Sequence, residues 1–312
     1  MKRYKTDGLF TPVSEKNKGF VFETDTGAFE ADLDEVRRMA EKGDPDGLYA
    51  MGMACLFGMG VEQDAEKGFK LLESASEKGQ PGAMTLLVRM FMSHRYTNMT
   101  TQKAVEYSAK GAEAGISDAQ LFLGIAYMDG VEVEQNYKKA AELFRKAAAQ
   151  GNSEARNSLA FIYQEGLGVE KDVVKAFKLY KNAASAGNIN AQFQTGVCYE
   201  MGIGVKTDLK KAAEWYSKAA EQGDTFAMER LGIIHGLGSP PNPELSFKWF
   251  LDAALGGMLG AMYYVGAYYL EGFGVEKDRE EGMKWLRLAS SSGSEEAKKL
   301  LSDLESEGGE RV

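Results

Sequence analysis

The side chains that could do chemistry in this sequence are few and poorly placed for it. His94 and His235 are the only histidines, more than 100 residues apart, whereas a metal site or proton relay needs its imidazoles together. His235 stands where an aromatic residue usually recurs and is expected to be a hydrogen-bonded core substitution. Cys55 and Cys198 are equally isolated, with no CxxC or CxxxC partner, and are expected to be buried free thiols. There is no Ser-His-Asp or Cys-His arrangement, no HExxH and no P-loop. The stretches GMGVEQD, GLGVEKD, GIGVKTD and GFGVEKD are glycine-rich like a phosphate cradle but lack its Lys-Ser/Thr ending, and their recurrence marks them as structural turns. The carboxylate pair Glu280 and Glu281 falls in the opening turn of a helix, where negative charge meets the positive end of the helix dipole. The expectation is a protein with no catalytic residues, no metal and no cofactor.

The elements that carry these side chains repeat. A conspicuous glycine recurs at Gly43, Gly79, Gly115, Gly151, Gly187, Gly223, Gly257 and Gly293, in steps of 36 residues except one of 34. From Gly79 onward Ala stands four residues on, at Ala83, Ala119, Ala155, Ala191, Ala227, Ala261 and Ala297, and a second small residue recurs nine on, as at Gly52, Gly124, Gly196, Gly232 and Gly266. Each unit reads as two antiparallel helices, A and B. Helix A stops at the G-x-G turn, whose glycines can take positive φ. Asp64, Asn136, Asp172, Asp208 and Asp278 then sit where helix B needs an N-cap. Trp215, Trp249 and Trp285 share one column of helix B and are expected to form a core ladder.

The unit 188–223, with Ala191, Gly196, Tyr199, Gly202, Gly204, Val205, Asp208, Ala212, Trp215, Ala219, Ala220 and Gly223, resembles the Sel1-like repeat, a relative of the tetratricopeptide repeat. The resemblance implies an all-α fold, a right-handed alpha-alpha superhelix of helical hairpins, and an adaptor role with no catalytic residues. Seven repeats span 44–293, between a capping helix B at 31–43 and a capping helix A with a tail at 294–312, as solenoid ends require. Three turns depart from the pattern: SHRYTNMTT in repeat two, Glu132 for the second glycine in repeat three, and SPPNPE in the shortened repeat six. These turns are either irregular or functional. For the N-terminal extension, residues 1–30, two readings stay open: a short hairpin over 20–29, or a disordered arm that docks on the first repeat.

With a formal charge of -9 and a pI near 5.1, the chain is not expected to bind nucleic acid or an anionic membrane, because its basic residues are scattered. MKRYKTDGLF is not followed by an apolar core of signal-peptide length, and no stretch has the roughly 18 consecutive apolar residues of a membrane span. A cytoplasmic protein is expected.

Binding is expected on the concave face lined by the A helices. Counted from each boundary glycine, offsets six, ten and thirteen lie opposite the helix B contact, yet 14 of their 21 places are apolar. The candidate partner-binding residues are Tyr49, Met53, Leu121, Ile125, Met128, Phe161, Gln164, Phe193, Val197, Glu200, Ile233, Tyr263 and Leu270. Asp46, Asp118, Asp129, Glu154, Glu165 and Glu271 form an acidic edge. The partner so described is a peptide or helical segment with apolar anchors and basic flanks. A competing reading makes the same stripe simple packing between neighbouring repeats. A second class of function, a small-molecule or cell-wall-related ligand binder or enzyme, is suggested for cysteine-rich Sel1-like relatives, but their pair of cysteines per repeat is missing here. Self-association through a solenoid end is a third reading.

Overall fold

Helix ends in this chain are set by short polar side chains and glycines, and the architecture follows from them. The computed structural model describes residues 19–24, 27–93, 99–238 and 240–309; His94 lies outside them. Strands β1 (Gly19–Thr24) and β2 (Gly27–Asp32) pair antiparallel with Phe22 opposite Phe29. Asp32 then caps α1 (Leu33–Glu41) by accepting from the Glu35 amide. Seven helical hairpins follow: α2 (Pro45–Phe57) with α3 (Ala65–Glu77), α4 (Pro81–Met92) with α5 (Thr101–Glu113), α6 (Ser117–Asp129) with α7 (Tyr137–Ala149), and α8 (Ser153–Glu165) with α9 (Val173–Ser185). The last three are α10 (Ile189–Met201) with α11 (Leu209–Ala220), α12 (Thr225–Leu237) with α13 (Pro243–Leu255), and α14 (Leu259–Glu271) with α15 (Arg279–Ser291). A lone helix, α16 (Glu295–Gly309), ends the described chain. This is an all-α solenoid with one small β-hairpin before it.

The caps are those the sequence calls for. Asp64, Asn136, Asp172, Asp208 and Asp278 each accept from the amide three residues on, and Asn242 does the same for α13. The amide of each capping residue also donates back across the turn, as from Asp208 to the Tyr199 carbonyl at 2.8 Å. In the shortened repeat the equivalent bond runs from Asn242 to His235, so the deletion is absorbed inside the turn and both helices keep 13 residues. Repeat three also keeps the regular turn: Glu132 takes φ 56°, as the glycines at its position in other repeats do. The expectation of an irregular turn there is therefore corrected. An L-residue tolerates the conformation at a cost, because the caps on both sides hold it.

Size complementarity packs the two helices of a hairpin. The small residue at offset nine leaves room for one large side chain from helix B: Phe144 against Gly124, Tyr216 against Gly196, Phe250 against Gly232 and Leu286 against Gly266. All four large residues are essentially inaccessible, and each such burial is worth roughly 1.5–3 kcal/mol. In repeat two the sizes are exchanged at these positions, with Val88 and Ser108 both fully buried. The tryptophans do not form the expected core ladder. Trp215, Trp249 and Trp285 are half-buried, and Lys218 and Lys248 lie over the first two rings, because this column faces the outer margin of helix B.

The chain divides within α8 into two compact units: Met1–Ala155 with Leu167–Val169, and Arg156–Gly166 with Glu170–Val312. In the first unit α4 packs on α6 as well as on α3 and α5. The second unit builds its core around Phe247, Phe250, Val265 and Leu286.

Candidate functional site

Among the described residues, two hollows and two A-helix faces are places where a partner could be met. The larger hollow, about 940 Å³, lies in the first unit between α1, the first turn and α3, lined by Arg37, Met51, Cys55, Val61, Lys67 and Leu71 among others. Its origin is structural. Leu33 starts α1 only 10 residues before Gly43, whereas Ala65 starts α3 14 residues before Gly79, so α1 is one helical turn short. In a later repeat of the same unit the second turn glycine packs on the opening of the preceding B helix, Gly168 lying where an added Cβ would be 2.6 Å from the Lys138 nitrogen.

On the A-helix face of the first unit, packing prevails over exposure. Tyr49, Met53 and Leu121, expected as partner-binding residues, are buried. The reason for Tyr49 is a neighbour: Gly82 of α4 comes so close that an added Cβ would be 2.9 Å from the tyrosine ring. Met53 joins the cluster of Leu56, Leu72 and Leu87. Ile125 and Met128 are half-buried. The acidic edge is partly consumed inside the protein. Asp46 accepts from Gln80 at 3.2 Å, while Asp118 accepts from Asn152 at 3.1 Å and pairs with Arg89 at 3.6 Å. Asp129 is exposed. A depression of about 500 Å³ gathers Arg89, Met92, Asp118, Leu121, Asn152 and Glu154. Partial burial of its carboxyl, then the nearby Asp118 charge, pushes Glu154 above the usual carboxylate range.

In the second unit the same columns are open. Phe161 is 41% exposed, and Gln164, Phe193, Val197, Glu200, Ile233, Tyr263 and Leu270 are half-buried. Phe226 of α12, 60% exposed, brings its ring to 6.3 Å from Phe193, which also leans on Tyr216 at 5.5 Å. Glu200 is not a free acid. It is bound through both nitrogens of the Arg230 fork and accepts from the Tyr216 hydroxyl at 2.7 Å, so this ion pair is spent within the protein. Glu165 and Glu271 are exposed. Sequence reasoning missed Phe226, which stands at offset three, where other repeats carry Asp46, Asp118, Glu154 or Asn190. An aromatic in a polar column was the available signal.

The remaining candidates for chemistry stay apart. Both cysteines are free and buried, and burial pushes the Cys198 thiol up to about 11. His235 is half-buried, with its pKa lowered by desolvation, and its ring makes no hydrogen bond to a described residue. The expected hydrogen-bonded core histidine is thus corrected to a desolvated one without a partner on its ring. Among the described residues no group of His, Cys, Asp and Glu could hold a metal ion, and no helix is long and apolar enough to cross a membrane.

Tandem helical hairpins whose variable side chains line one face define a repeat protein of the alpha-solenoid class. The chain belongs to the Sel1 repeat family: the Sel1 repeat matches residues 45–80, 101–116, 117–152, 153–188, 189–224, 225–258 and 260–294. Proteins of this family generally mediate protein–protein interactions. The second match covers little more than helix B, in keeping with the departure at SHRYTNMTT. The fold is similar to that of c5321, a protective antigen present in uropathogenic Escherichia coli strains, with a TM-score of 0.75 and 31% identity over 87% of this chain. This chain spans 59% of that protein's length. It is also similar to a Sel1 repeat protein from Oxalobacter formigenes, with a TM-score of 0.70 and 29% identity over 87% of this chain and 80% of that one. No curated protein matches the sequence significantly.

Proposed function

We propose that the chain is an adaptor that holds a segment of a partner protein against the A-helix face of its second unit. The observation that carries this reading is the contrast between equivalent columns: Tyr49, Met53 and Leu121 are buried, whereas Phe161 is 41% exposed and Phe193 half-buried, with Phe226, 60% exposed, added beside Phe193 from a column that is polar in most other repeats. Aromatic side chains left in water on a rigid helical face are the usual anchors of an interface. The partner carries apolar side chains for this face, and basic residues that meet Glu165 and Glu271. No catalytic step is assigned to the protein.

The test uses Phe161→Asp with Phe226→Asp, both exposed, so that the fold should survive; circular dichroism checks this. Partners captured by the intact chain should be lost by the double variant. If every partner is retained by a folded double variant, this reading is wrong.

A further inference from the structure

We infer that the A-helix face of the second unit takes a segment that sets a Lys or Arg beside its apolar anchor, with the cation at Glu229. This rests on the adaptor reading and names the chemistry of its partner. Asn157, Phe193 and Glu229 occupy offset six in three successive repeats, so they form one row across α8, α10 and α12, with the aromatic ring in the middle. Phe226 and Glu229 stand three residues apart on α12 and therefore on one face, and the Phe226 ring lies 6.3 Å from that of Phe193.

Glu229 makes the second half of the row. Its carboxyl lies in the space that a side chain at Gly260 of α14 would fill, and it forms no ion pair or hydrogen bond with a described residue. The adjacent Arg230 attracts it, but the guanidinium is committed to Glu200, and burial holds the Glu229 carboxyl above the usual carboxylate range. The Glu229 carboxyl is an acceptor left without a partner, so what it lacks is a donor, and opposite a carboxylate that donor is a cation. The net charge of -9 favours the same sign. Neighbouring positions of one segment can therefore place an apolar side chain on Phe193 and Phe226 and a Lys or Arg on Glu229.

The experiment selects a displayed library of random 12-residue peptides on the full chain, on Phe161→Asp/Phe226→Asp and on Glu229→Gln. The expected result is a set of peptides that the phenylalanine double variant loses and that carry Lys or Arg near an aromatic or aliphatic residue. Glu229→Gln should erase the preference for Lys or Arg and weaken a chosen synthetic peptide about tenfold or more in calorimetry. The same peptide with Lys replaced by Gln should bind both proteins equally. Peptides that depend on the phenylalanines but show no basic preference, or bind Glu229→Gln unchanged, would overturn this inference and leave the adaptor reading standing. If no enriched peptide depends on the phenylalanines, both fall together.

Discussion

Gly204 and Gly223 bracket α11, and both hold positive φ, 68° and 94°, yet replacing each by alanine should have very different consequences. At Gly223 no atom lies within 4 Å of the position an added Cβ would take, so the cost is conformational, about 1–2 kcal/mol. At Gly204 the Cβ would be driven into the carbonyl of Val173 and within 3.1 Å of the Val174 Cα, where the turn packs on the opening of the preceding B helix. Backbone cannot rotate away as a side chain can, and forced overpacking adds about 1–3 kcal/mol. The total expected for Gly204→Ala is therefore about 2–5 kcal/mol. Trp215, Trp249 and Trp285 all lie in the second unit, so guanidinium denaturation followed by tryptophan fluorescence reports on the unit that contains both sites. Repeat arrays can lose two-state behaviour, so hydrogen exchange in α10 and α11 should accompany it. Equal losses for the two variants would refute the idea that the second turn glycine is required by its neighbour and not by its φ alone.

Glu132→Gly should stabilise the first unit by roughly 0.5–1 kcal/mol, since relief of φ 56° exceeds the entropy cost of glycine; slower hydrogen exchange around residues 131–136 is the measurement. Glu154 has a raised folded-state pKa, so its ionisation opposes folding. Any stability linked to the protonated form is complete below the unfolded value and is lost as pH rises through the folded one. Glu154→Gln should accordingly raise the urea midpoint at pH 7, and the gain should vanish below about pH 4; a gain that is constant with pH would disprove the linkage. Cys198 is buried, with its thiol held at about 11, so iodoacetamide at pH 8 should label it only at the rate the second unit opens. Rapid labelling of the native protein would contradict this burial.

Several features were legible from residues alone because they are local. The caps Asp64, Asn136, Asp172, Asp208 and Asp278 act within three residues, and boundary glycines such as Gly79, Gly151 and Gly223 need nothing beyond their own φ and the carbonyls just before them. The pairing of Gly196 with Tyr216 or Gly124 with Phe144 follows from one hairpin, so a repeated pattern records it. Glu132 marks the limit of such local reading: its residue type argued for a changed turn, while the surrounding caps preserved the old one.

The binding face was not local. Tyr49 and Phe193 hold the same offset and similar rings, but Gly82 of the next A helix closes over the first, whereas the second meets Phe226 and keeps part of its surface in water. Asp118 and Glu200 read as free acids until Asn152, Arg89, Arg230 and Tyr216 are placed around them. The sequence by itself determined the helical hairpin, its ends and its repetition, because helix periodicity and capping act over a few bonds. Only the tertiary structure decided which apolar side chains remain exposed and which charges remain unspent, because burial and pairing depend on side chains contributed by the neighbouring repeat.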